Sequence, residues 1–195
     1  MNKDLFSLKG KVVIITGASG LLGRQHADAV ALSGGSPVLL DLESEPVEKL
    51  VSEINYKYDV DATGYVVDIT SEKETEKNCN VIHKRYGKID ALVNNAANNP
   101  KVEDQEGKNF SRLENFPIAN WNADVAVGLT GTFLCAKHYG TAISTNPNGG
   151  VIVNISSDLG LIAPDQRLYE QPDLQEGQQL VKPVTYSVIK TGLIG

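Results

Sequence analysis

The stretch VVIITGASGLLG, residues 12–23, runs five β-branched residues into three glycines and then into a segment that opens on two leucines. Five such residues without polar alternation form a strand buried on both faces. A strand, a glycine turn and a helix in succession bring backbone N–H groups and the positive helix end to one place. Glycines there leave out the Cβ atoms that would keep a pyrophosphate away. The spacing of Gly17, Gly20 and Gly23 is G-x-x-G-x-x-G rather than G-x-G-x-x-G, and alone it serves a tight, closely packed turn equally well.

Outward from this unit the same alternation repeats. Apolar runs at VLL (38–40), TGYVV (63–67), ALVNN (91–95) and VIVNIS (151–156) are separated by helical patterns over 21–33, 45–57, 72–86 and 118–139. This is the pattern of an α/β fold, a doubly wound parallel sheet with helices on both faces. A chain of 195 residues fits one domain over 1–195. The clearest helix ends are those of SEKETEKNCNVIHKRYG, where Ser71 is placed to cap, Glu74 follows three residues on, and Gly87 closes the far end. Two polar, Pro- and Gly-punctuated segments, 97–117 and 158–185, follow strand ends, where open α/β sheets bind ligands.

Composition narrows the partners. Lys+Arg 18 against Asp+Glu 24 gives a net charge of −6, which repels phosphate backbones, so no nucleic acid is expected. No apolar run approaches a membrane span, and the charged N-terminus is no signal peptide. Cys79 and Cys135 form no CxxC or Cys/His cluster, so no metal is expected. A cytoplasmic protein with buried thiols and a small-molecule substrate follows.

Asp41 ends the second strand, 18 residues after Gly23. A carboxylate there accepts from both hydroxyls of an adenosine ribose and repels a 2′-phosphate, which points to NAD over NADP; the alternative is that it merely begins a solvated loop. Asp68 either faces the adenine or caps the helix after Ser71. Tyr186 and Lys190, four residues apart, share one helix face, and the ammonium favours phenolate over phenol, as an acid/base requires. Alone, such a pair also occurs on surfaces.

Taken in order, TGASGLLG, Asp41, VVDIT, NNAA, WNADVAVGLTGTF, VNISS and YSVIK resemble the short-chain dehydrogenase/reductase family over nearly the whole chain. The resemblance implies a Rossmann-type NAD-binding domain. Its catalytic residues would be Tyr186 as general acid/base, Ser157, preferred over Ser156, to position the substrate oxygen, and Lys190 at the nicotinamide ribose. Gly17, Ser19, Gly20, Leu21, Leu22, Gly23, Asp41, Asp68, Ile69, Asn94, Asn95 and Ala96 would surround the cofactor. It further implies a homo-oligomer, and a chain that stops before the family's last strands.

The sequence also departs from the family. Gly128 stands where an Asn is usual, and NNAA replaces NNAG. The glycine spacing and the 28 residues between Ser157 and Tyr186 are similar to the extended branch, which acts on nucleotide sugars. The pattern with APDQRLY and KPVTYSVIK is similar to oxidoreductases of surface-sugar and flagellin-modification pathways. The expected reaction is NAD(H)-dependent alcohol–carbonyl interconversion on a sugar or sugar nucleotide. The alternatives are an epimerase or dehydratase that retains its NAD, and a cofactor-binding protein without turnover. Within 158–185, Arg167 is the expected anion contact of a substrate-side lid, or else the partner of a nearby acid.

Overall fold

All five expected strands form, and all run parallel. They are β1 (Val12–Thr16), β2 (Ser36–Asp41), β3 (Thr63–Val66), β4 (Ala91–Asn94) and β5 (Val151–Asn154), in the order β3-β2-β1-β4-β5. The computed structural model describes residues 5–98 and 111–195. The chain falls into two units, Met1–Ala96 with Gly131–Asn154, and Ala97–Thr130 with Ile155–Gly195.

The sheet belongs to the first unit. Ile14 of β1 lies opposite Val38 on one side and Leu92 on the other, and all three are fully buried. That is why VVIIT carries no polar alternation: apolar neighbours cover both of its faces. Strand order turns back at β1, with β2 on one flank and β4 on the other, so the ends of β1 and β4 flank a switch point where such sheets leave a crevice. At the end of the sheet, Val151, Ile152 and Val153 of β5 stay 40 to 53% exposed.

Helices α1 (Leu21–Leu32), α2 (Ser44–Tyr58) and α3 (Glu72–Tyr86) connect the first four strands. α2 buries Val47, Leu50 and Ile54, one stripe at helical spacing. α3 starts where Ser71 Oγ accepts from the Glu74 N–H at 3.4 Å and stops at Gly87, whose φ of 74° suits glycine. The Glu74 carboxylate does not return to Ser71 as a capping box would; it accepts from the Asp68 N–H at 3.0 Å, tying in the turn before the helix. Cys79 and Cys135 are both buried, and burial pushes the Cys135 thiol up to about 12. Beside them the Tyr139 hydroxyl, fully buried, donates to Asn78 Oδ1 at 2.9 Å.

The start of β1 rests on one acid. Asp90 accepts from the Val12 N–H at 2.9 Å and pairs with Lys11 and Lys88, each at 2.9 Å. Burial opposes its ionisation, but the Val12 amide and the two ammonium groups outweigh burial, and its carboxyl lies below the ordinary range. Because the folded value is depressed, the stabilisation is present above the unfolded value of about 3.9 and is lost as pH falls through the folded one. Asp90→Asn is expected to cost about 1–3 kcal/mol near neutral pH, after allowance for the half-exposed lysines. It should also flatten the acid limb of stability, as urea melts at stepped pH will show; an unchanged acid limb would refute the assignment.

The helix expected over 118–139 extends further and is not regular. α4 (Ile118–Val125), α5 (Thr132–Cys135) and α6 (Thr141–Ser144) are joined by wider π-type turns at Ala126–Gly131 and Ala136–Gly140. Such turns often mark functional segments of a helix. In the second unit, 158–185 holds only short 3-10 turns at Asp158–Gly160, Gln166–Tyr169 and Glu176–Gln178 before α7 (Val184–Gly192). Of the other expected loop, 97–117, residues 99–110 lie outside the described residues, as do 1–4 of the N-terminus. Among the described residues no helix is long and apolar enough to cross a membrane.

Candidate active site

In the first unit the glycine turn is held by packing as well as by conformation. Gly17 has φ +62°, and a Cβ on it would stand 2.8 Å from Ala96 Cα. A Cβ on Gly23 would stand 2.2 Å from the Gly17 carbonyl oxygen, so α1 can begin this close to β1 only at a glycine. No side chain caps α1, whose N-cap is Gly20, and Leu21 and Leu22 are exposed above the turn. Its first-turn N–H groups have no intrahelical acceptors, and Ser19 Oγ is buried without a partner among the described residues. A glycine cradle, open amides and an orphaned hydroxyl fit the pyrophosphate of a dinucleotide.

The acids and amides around this turn are already engaged. Asp41 accepts from the Ser19 N–H through Oδ2 and from the Leu42 N–H through Oδ1, both at 2.8 Å, so the carboxylate is fixed at the mouth of the turn rather than released into a loop. Asp68 Oδ1 accepts from the N–H and the hydroxyl of Thr70, a local turn that leads into the α3 cap, and Ile69 is buried. Asn94 Nδ2 donates to Asn154 Oδ1 across β4 and β5 at 2.9 Å. The Asn95 side chain donates to the carbonyls of Thr16 and Gly17, while Thr16 Oγ1 accepts from the N–H groups of Asn95 and Ala96. This clasp locks the end of β4 onto the turn, a structural task that sequence reading missed.

In the second unit, Tyr186 and Lys190 occupy successive turns of α7, with Lys190 Nζ 5.8 Å from the centre of the Tyr186 ring. Both line a cavity of about 170 Å³. Lys190 is almost fully buried and donates to the Ile155 carbonyl. Burial drives its pKa down, the neighbouring Tyr186 opposes that, and Lys182 adds to it by like-charge repulsion. The helix is docked on the turn after β5: Ser156 Oγ donates to the Lys190 carbonyl at 2.7 Å, and Thr191 Oγ1 donates to the Gly160 carbonyl at 2.8 Å. Ser157 Oγ donates to Asp158 Oδ1 and accepts from the Leu159 N–H, which makes it the cap of that turn; it is not among the described residues lining the cavity.

Two site residues were not singled out from the sequence. Asp124 is 3% exposed and lines the cavity; its carboxylate accepts from Thr185 Oγ1 at 2.6 Å and from Asn98 Nδ2 at 2.8 Å. An acid inside the helical run WNADVAVG was the available hint. Lys182 also lines the cavity, its Nζ 3.8 Å from the centre of the Tyr186 ring. Of the two roles expected for Arg167, the structure displays the pairing with a nearby acid. Its guanidinium is 81% exposed, paired with Asp165 at 2.6 Å, and absent from the cavity wall, to which the same loop instead contributes Tyr169, Val181 and Lys182.

Gly128 also has a physical reason. A Cβ there would stand 2.5 Å from Ile189 Cγ2, so the π-type turn Ala126–Gly131 meets α7 with a branched side chain filling the space the usual Asn would take.

Known proteins share this layout. The short chain dehydrogenase family matches residues 11–169. The chain is similar to the NADP-dependent mannitol dehydrogenase of Alternaria alternata, 32% identical over 79% of this chain and 56% of that one. It is similar to the NAD-dependent glycerol dehydrogenase of Listeria innocua, 31% identical over 86% of this chain and 60% of that one. A solved NAD+-bound xylitol dehydrogenase superposes with a TM-score of 0.79 at 27% identity, covering 96% of this chain and 62% of that one. The chain thus spans roughly 56–62% of the length of these relatives. With a parallel sheet in the order β3-β2-β1-β4-β5, a packed glycine turn and a Tyr–Lys pair on α7, the chain belongs to the short chain dehydrogenase family.

Proposed function

We propose that the protein is an NAD(H)-dependent oxidoreductase that interconverts a secondary alcohol and a carbonyl on a polyhydroxylated substrate of the sugar or sugar-alcohol type. The observation that carries this reading is the pairing of Tyr186 with Lys190 in the wall of one cavity. In the oxidative direction the substrate hydroxyl passes its proton to Tyr186 Oη, oriented by Ser157 once its hydroxyl turns from Asp158, while Lys190 would hold the nicotinamide ribose. The bound nicotinamide supplies the hydride acceptor at C4. Gly17, Ser19, Gly20, Leu21, Leu22 and Gly23 hold its pyrophosphate, Asp41 its adenosine ribose, Asp68 and Ile69 its adenine side, and Asn94, Asn95 and Ala96 its inner flank. Residues 1–195 act as one cofactor-binding domain. The relatives named for mannitol, glycerol and xylitol, and the resemblance to surface-sugar enzymes, support a polyol or sugar substrate. A cytoplasmic homo-oligomer, as the family resemblance implies, is part of this reading.

The relatives include users of either cofactor, so the choice rests on Asp41. NADH is expected to bind more tightly than NADPH, because the carboxylate fixed at the turn repels a 2′-phosphate. Asp41→Ala should narrow the gap about tenfold, equivalent to about 1.4 kcal/mol. Fluorescence titrations of both cofactors measure it, and tighter NADPH binding by the wild type would refute it. The reaction itself is tested by following nicotinamide absorbance with mannitol, xylitol, glycerol and threitol.

A further inference from the structure

The cavity beside Tyr186 contains a cation that the proton transfer does not use. Lys182 Nζ stands over the Tyr186 ring at 3.8 Å from its centre. Its backbone is anchored on both sides. The Lys182 N–H donates to Gln166 Oε1 at 2.8 Å, the Val181 N–H donates to Ser111 Oγ at 3.0 Å, and Pro183 follows with a fixed φ of −56°. Yet among the described residues no carboxylate pairs with the Lys182 ammonium, and no side chain accepts a hydrogen bond from it. The acid in the cavity wall, Asp124, is committed through both oxygens to Thr185 and Asn98. The other ammonium, Lys190, donates to the Ile155 carbonyl.

We propose that this cavity takes a polyhydroxylated substrate bearing an anionic group, a carboxylate or a phosphate, and that Lys182 Nζ receives that group. The proposal rests on the reading of Tyr186 as the proton-transfer residue. A substrate whose reacting oxygen touches Tyr186 Oη has its next few atoms within reach of an ammonium that lies over the same ring. Two ammonium groups, Lys182 and Lys190, stand near one ring, an arrangement in which like charges repel and a bound anion offsets the repulsion. Lysine suits this task as a mobile point charge with three donors. Arg167, paired with Asp165, does not line this cavity. The cavity measures about 170 Å³, below the roughly 300–1,000 Å³ of drug-sized pockets.

Calorimetric titration of the whole chain with gluconate, sorbitol 6-phosphate and sorbitol, each with and without NADH, tests this. At least one charged ligand is expected to bind about tenfold more tightly than sorbitol, and its identity decides between carboxylate and phosphate. Lys182→Met should bring that ligand to the level of sorbitol, and Lys182→Arg should keep most of the preference. Rising salt should erode the preference in the wild type, a readout that stands if the Met variant fails to fold. Equal binding of all three ligands, no binding of any, a preference that survives Lys182→Met, or a preference insensitive to salt would overturn the proposal. Failure of NADH itself to bind would count against the oxidoreductase reading alone, because the titrations without NADH still decide the role of Lys182.

Discussion

Tyr186→Phe is expected to lower turnover about 10²–10⁴-fold, the usual contribution of a general acid or base, while NADH affinity stays close to wild type. The substitution removes one oxygen and little else. The ring remains in the cavity wall, still beneath Lys182 Nζ and still one turn from Lys190, so packing of α7 on the Asp158–Gly160 turn is untouched. What disappears is the only atom of that side chain able to take a proton from a substrate hydroxyl. Steady-state rates on the polyol oxidised fastest, set beside an NADH fluorescence titration of the same samples, separate loss of chemistry from loss of binding. A variant that turned over at the wild-type rate would end the assignment of Tyr186, whatever its position.

Gly23→Ala should damage both stability and cofactor binding. The new methyl would stand 2.2 Å from the Gly17 carbonyl oxygen and 2.7 Å from Ala18 Cα, both backbone atoms that no rotamer can move aside. The start of α1 must therefore lift away from β1, an overpacking cost of about 1–3 kcal/mol or more. Because the lifted amides are those offered to the pyrophosphate, NADH affinity should fall about tenfold or further, each factor of ten being about 1.4 kcal/mol. Gly177, whose Cβ would meet nothing within 4 Å, supplies the control: Gly177→Ala should leave the urea midpoint and the titration unchanged. A stable, tightly binding Gly23→Ala protein would show that the turn is not packed as described.

What could be read from the sequence was local. The β-branched run 12–16, the Ser71 and Gly87 ends of α3 and the four-residue spacing of Tyr186 and Lys190 each declare themselves within one turn or one strand, and each forms where expected. Most of what stayed hidden depends on contacts between distant segments. Asp124 and Thr185 are 61 positions apart, and Asn95 reaches back to Thr16 and Gly17 across nearly 80, so no periodicity announces either partner. Arg167 is the opposite case: its partner Asp165 is so near in sequence that a two-residue turn brings the carboxylate to the guanidinium, the nearby-acid pairing that the sequence offered beside the ligand contact. Lys182 stood in full view within KPVTYSVIK, but only the path of the chain before Pro183 brings its ammonium over the Tyr186 ring.

The contact between Gly128 and Ile189 makes the two positions interdependent in any lineage or library that alters them. Asparagine at 128 meets Ile189 Cγ2 at once, and valine at 189 keeps that same branch, so neither the single change nor the mildest compensation opens a route. Shrinking 189 to alanine gives a side chain at 128 room, and that first step empties a buried position and costs stability by itself. The two positions are thus energetically coupled, and the effect of a side chain at 128 depends on which residue stands at 189.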